Sequence, residues 1–131
     1  MNVTPFYAAL FALLFFALSV RTLRLRKRLR IAVGDAGDEH MLRAMRVHGN
    51  FAEYVPLTLL LIFMLEATGA APAWVHAFCI ALLAGRLSHA FGVRRVDEQL
   101  KYRVFGMAAT FTALVGSALL ILWRHAAGAL A

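Results

Sequence analysis

Arg46, Asn50 and Glu53 stand in the stretch RVHGNFAEYVPL (Arg46–Leu57), directly ahead of the apolar run TLLLIFML (Thr58–Leu65). On a helix these spacings place the three side chains within about 60° of one another. A guanidinium pairs bidentately with a carboxylate, and a glutamate accepts from an ammonium group. An arginine beside a thiol favours the thiolate. Each of these polar groups is costly in hydrocarbon unless it faces protein, water or a ligand. A stripe of them therefore implies something that it faces.

Further polar residues gather at the same depth. Arg26, Lys27 and Arg30 end the first apolar segment, Arg43 precedes the stripe, Arg86 and His89 close the third segment, and Lys101 and Arg103 open the fourth. Competing readings stand beside the functional one. Arg21, Arg24, Arg28, Arg94 and Arg95 read as cations snorkelling to headgroups. Glu53 alternatively pairs with an arginine to hold helices together. Tyr54, about 80° from the centre of the stripe, lines the cavity or packs beside it. His48 points nearly opposite and reads as a subunit-contact or interfacial residue. His76 reads as interfacial, and Glu66 as solvated at the outer end of its helix. The single cysteine, Cys79, has no partner for an intrachain disulfide and reads as a small core residue. The histidines lack metal-ligand spacing, so no metal site is expected. There is no phosphate-binding glycine loop and no serine–histidine–acid pattern.

The elements that must position these groups are membrane spans. The 131 residues are 62% hydrophobic with a mean hydropathy of +0.71. Such apolarity predicts an integral membrane protein with room for about four spans of ~20 residues and no separate soluble domain. The expected fold is all-α, an antiparallel four-helix bundle occupying the whole chain, 1–131. Helix one covers Pro5–Val20 and continues into the basic segment Arg21–Arg30, and Gly34–Asp38 forms a turn. Helix two starts at Asp38 or Glu39, with Asp38 as N-cap, and runs to Thr68 with Pro56 inside it. Helix three spans Ala73–Phe91 and helix four Leu100–Trp123. Ala109, Ala113 and Ser117 form a small-residue stripe suited to close packing.

Charge sets the expected orientation. Eight lysines and arginines lie between Arg21 and Arg46, five more between Arg86 and Arg103, and only Arg124 at the opposite end. Both basic loops are then cytoplasmic and both termini outside. The uncharged residues before Arg21 lack the basic start of a signal peptide and read as an uncleaved anchor. The net charge of +7 follows from this topology, and nucleic acid is not an expected partner.

Arg46, Asn50, Glu53, Tyr54 and Pro56 together resemble the helix-two signature of the MAPEG family, the membrane-associated proteins in eicosanoid and glutathione metabolism. The segment GRLSHAFG (Gly85–Gly92) is similar to that family's Ala/Gly-Arg-Leu segment at the end of helix three. The resemblance covers nearly the whole chain, and its nearest look-alikes are small bacterial inner-membrane members. It implies a homotrimer in the lipid bilayer, with a glutathione site between subunits on the cytoplasmic side. Carried over by position, Arg46, Asn50, Glu53, Tyr54 and Arg86 are the best glutathione contacts, with His89 beside them. Arg26, Lys27 or Arg30 supplies the helix-one arginine function, and Lys101 or Arg103 the thiolate-stabilising one. His89 and Val93 stand where glutathione-using eukaryotic members carry tyrosines, and His48 where a glutamine is common.

Two functions follow from this resemblance. One is a glutathione transferase or peroxidase that joins glutathione to a lipophilic electrophile or reduces a lipid hydroperoxide; isomerisation belongs to the same chemistry. The other is a non-catalytic membrane binding protein on the same scaffold. A small multidrug exporter needs a carboxylate in its first span, and residues 1–20 contain none.

Overall fold

The computed structural model describes residues 3–94 and 99–128. The described residues form four helices, α1 (Thr4–Leu29), α2 (Glu39–Ala67), α3 (Pro72–Val93) and α4 (Leu100–Ala126), and no strand. All four are long and apolar enough to cross a membrane. The continuation of α1 through the basic segment is as the sequence predicts. So is the start of α2 after Asp38, whose carboxylate accepts from the Met41 N–H at 2.8 Å. Proline at the start of α3 removes a donor that would have no helical partner. α2 continues through Pro56. The basic loop after α3 lies partly outside the described residues, and Arg95 with it.

The loop between α1 and α2 is tightly held. Arg30 closes α1 in the left-handed region at φ 57°, and Gly34 and Gly37 take positive φ without the penalty a side chain brings. Arg26 Nη1 donates to the Gly34 carbonyl at 3.0 Å and the Asp35 carboxylate accepts from Gly37 N–H at 3.0 Å.

Packing is apolar outside and partly polar inside. Phe6, Leu13, Phe16, Trp74, Leu122 and Trp123 are exposed, whereas Arg86, His89, Thr58, Thr110 and Ser117 are buried. Hydrocarbon outside removes the usual penalty for the first group, and hydrogen bonds offset the cost in the second, within the helix for Thr58 and Ser117 and between helices for Arg86 and Thr110. Between α1 and α2, Phe15 stacks on His48 at 4.7 Å and on Phe51 at 5.4 Å. His48 Nε2 lies 3.0 Å from Ser19 Oγ, so its ring makes a contact inside the chain.

The closest approach joins α3 to α4. A Cβ on Gly106 would stand 2.7 Å from the Gly85 carbonyl oxygen, and one on Gly92 would stand 2.9 Å from Tyr102 Cβ. Neither glycine has room for a side chain without moving a helix. The buried small-residue face of α4 is Gly106, Thr110, Ala113 and Ser117, while Ala109 is only half-buried. The predicted stripe thus holds at Ala113 and Ser117 and is displaced at its first position. Glycine and threonine supply the closeness that the alanines suggested.

At the end opposite the basic loops, side chains cap backbone. The Glu66 carboxylate accepts from the Val3 N–H and, at 2.9 Å, from the Thr4 N–H at the start of α1. It therefore serves as a cap supplied by another helix. Arg124 Nη2 donates to the Thr68 carbonyl at 2.8 Å at the end of α2, and the Tyr7 hydroxyl lies 3.1 Å from His76 Nδ1.

Candidate functional site

One face of α2 builds the floor of a cleft at the basic end. Glu39, Arg43, Arg46, Asn50 and Glu53 recur at helical spacing along it, and Gly49 lies between them. His89 and Val93 of α3 and Arg103 of α4 form the facing wall. The cavity measures about 400 Å³, within the range of small-molecule sites. The three members of the sequence stripe all line it, and Arg46 and Glu53 are exposed in the single chain.

Arg86 takes a different place. It is 2% exposed and does not line the cleft. Its guanidinium donates to Asn50 Oδ1 on α2, to Thr110 Oγ1 at 2.5 Å and to the Gly106 carbonyl at 3.3 Å on α4. Met107 Sδ lies at 3.6 Å, and the Tyr54 ring centroid at 6.0 Å from Cζ. These partners are neutral, so the charge of Arg86 is held by dipoles and a ring face rather than by a carboxylate. The residue fastens three helices together and fixes the orientation of Asn50 from behind. Its positive field adds to that of the arginines in the cleft.

The remaining candidates separate. Arg103 lines the cleft, whereas Lys101 has its Nζ 5.1 Å above the Tyr102 ring and is absent from the lining. Tyr54 packs edge-on against Phe111 at 5.5 Å, beside the cavity rather than in it. Arg26 closes the α1–α2 loop, and Lys27 and Arg30 are exposed, all three away from this cleft. Among the described residues there is no cluster that could hold a metal ion.

The structure adds Glu39, Gly49 and Val93 to the site, and it lines the cleft with Arg43, which the sequence puts at the same depth as the stripe. Arg43 also donates to the Val93 carbonyl at 3.5 Å, so one side chain lines the cleft and ties α2 to α3. Its position, three residues before Arg46 on the same helix, is the signal that extends the stripe. A Cβ on Gly49 would meet only Glu53 Oε1, at 3.9 Å. That glycine leaves open space at the floor.

The arrangement can bind a small molecule with more than one negative group and at least one positive group. Arg43, Arg46 and Arg103 offer guanidinium forks, and Glu53 and Glu39 offer acceptors.

Comparison with known proteins gives this geometry a context. The model of the MAPEG family matches residues 4–123. The inner membrane protein YecN of Escherichia coli strain K12 is 40% identical over 121 residues, covering 92% of this chain and 91% of the relative. YecN of Escherichia coli O6:H1 matches over the same length with the same identity. No solved structure matches with significance.

Proposed function

The chain belongs to the MAPEG family, and from that premise we propose that it binds glutathione in the basic cleft and acts as a membrane glutathione transferase or peroxidase. The observation that carries this reading is the convergence of Arg43, Arg46 and Arg103 around Asn50 and Glu53 in one cavity. Glutathione brings two carboxylates, an ammonium group and a thiol. Two guanidinium groups serve the carboxylates and Glu53 serves the ammonium. One guanidinium then remains for the sulfur, and Arg103 is the assignment because it shares the cavity with the stripe while Lys101 does not.

The chemistry needs no nucleophile from the protein. The glutathione thiolate attacks the electrophilic carbon, a sulfur–carbon bond forms, and the leaving group departs. With a lipid hydroperoxide the thiolate takes the terminal oxygen and the lipid alcohol leaves with a proton. A second glutathione then reduces the sulfenic acid, giving the disulfide and water. The protein contributes charge stabilisation and proximity. The lipophilic partner arrives from the bilayer. We place the protein in a bacterial inner membrane as an antiparallel bundle with both termini periplasmic, assembled as a homotrimer. In that assembly Arg26, Lys27 or Arg30 of a neighbouring subunit completes the site.

One observation favours the second reading, binding without turnover. Val93 lines the wall and offers no side-chain hydrogen bond there. Titration of glutathione into the detergent-solubilised protein tests the shared premise. Saturable binding should weaken about tenfold in Arg46→Ala and in Glu53→Gln, the loss of one charge-assisted bond. Absence of saturable binding in the wild type would sink both readings. Glutathione-dependent consumption of a halonitrobenzene, reduced in Arg103→Ala, separates enzyme from binder.

A further inference from the structure

A second cavity lies on another face of α1. It measures about 610 Å³ and takes Arg21, Arg24 and Arg28 from α1, His40 from α2 and Arg94 from the C-cap of α3. The three α1 arginines fall within about 60° of one another on the helix. Among the described residues no carboxylate contributes to the lining. The Arg21 and Arg94 charges repel each other there. The upper part of the same cavity is apolar, formed by Phe16, Ala17 and Val20. From Phe16 to Arg28 the lining extends about 18 Å along the helix, from span to basic end.

Arginines that merely snorkel point separately to the surrounding headgroups. Here cations from two helices and a histidine from a third meet in one concavity with an apolar slot above them. We propose that this cavity holds an anionic glycerophospholipid, its phosphodiester among Arg21, Arg24, Arg28 and Arg94 and an acyl chain along Phe16 to Val20. A phosphodiester supplies acceptors to the guanidinium forks, and removal of like-charge repulsion adds to the gain. The site is separate from the basic cleft, with which it shares no lining residue.

Native mass spectrometry of the full chain in detergent tests this, with dioleoyl phosphatidylglycerol, dioleoyl phosphatidylcholine and glycerol 3-phosphate as probes. The wild type should retain phosphatidylglycerol about tenfold more than phosphatidylcholine, and Arg21→Gln/Arg24→Gln should lose that preference. Lys27→Gln/Arg30→Gln removes the same charge outside this cavity and should keep it. Arg94→Gln gives the same test from α3 if the double variant does not fold. Equal retention of the two lipids would overturn the proposal, as would an unchanged preference in Arg21→Gln/Arg24→Gln or equal losses in both double variants. Displacement of phosphatidylglycerol by glycerol 3-phosphate at equal concentration would also overturn it, and would identify a soluble phosphate as the ligand.

Discussion

The two ends of the bundle use the same kinds of side chain in opposite ways. At one end Glu66 caps α1, Arg124 caps the end of α2 and Tyr7 meets His76. Each of these side chains answers a nearby backbone or side-chain group. At the other end Arg43, Arg46, Glu53 and Arg103 border one common cavity. A charge in a span is therefore not a sign of function by type alone. What decides is whether it borders a cavity that a ligand can enter. Arg86 lies between the two cases, a buried cation consumed by neutral partners that also steadies the floor of the cleft.

This division can be tested by asking which variants change stability and which change binding. The largest loss of stability is expected from Arg86→Ala, about 3 kcal/mol, since Asn50 and Thr110 lose a buried partner and a cavity opens. Thermal unfolding in detergent would show it, and an unchanged midpoint would break the assignment of Arg86 as a fastener. Gly49→Leu should abolish most glutathione binding by filling the floor, about tenfold or more, while the midpoint stays near wild type. Loss of fold instead would mean that Gly49 serves packing. Glu66→Ala should cost about 1–2 kcal/mol through the lost cap and leave binding unchanged. A parallel loss of binding would show that the two ends are coupled. Arg124→Ala should have the smallest effect, about 1 kcal/mol, also without change in binding.

Local signals in the sequence carried far. Asp38 ahead of Glu39, proline at residue 72 and the glycines of the first loop mark helix ends by backbone chemistry, and the structure places the ends within a few residues of them. The stripe was legible because helical spacing alone puts Arg46, Asn50 and Glu53 on one face. Long-range choices were not. Glu66 meets Val3 across 63 positions, and a carboxylate at a helix end reads equally as solvated. His48 reads as a subunit-contact or interfacial residue, and sequence does not say that Ser19 and Phe15 stand beside it. Arginine at a helix end has a long stem that reaches either outward or inward, and sequence does not say that Arg86 turns in while Arg94 stays exposed. Arg103 and Lys101, two residues apart, differ by about 200° around α4, and only the packing of α3 on α4 selects which one sees the cleft.

The hydrogen bond from Arg86 to Asn50 carries a consequence for selectivity. With its carbonyl oxygen turned to Arg86, the Asn50 amide has its two N–H groups to offer elsewhere. The middle of the cleft floor is thereby set as a donor by a residue that never touches the cavity. Converting Asn50 to aspartate would keep the shape, give Arg86 a carboxylate partner, and turn that point into an acceptor. Polarity at this position is written from behind the wall, so a cleft of unchanged volume could exchange an acceptor-rich ligand for a donor-rich one through a single amide.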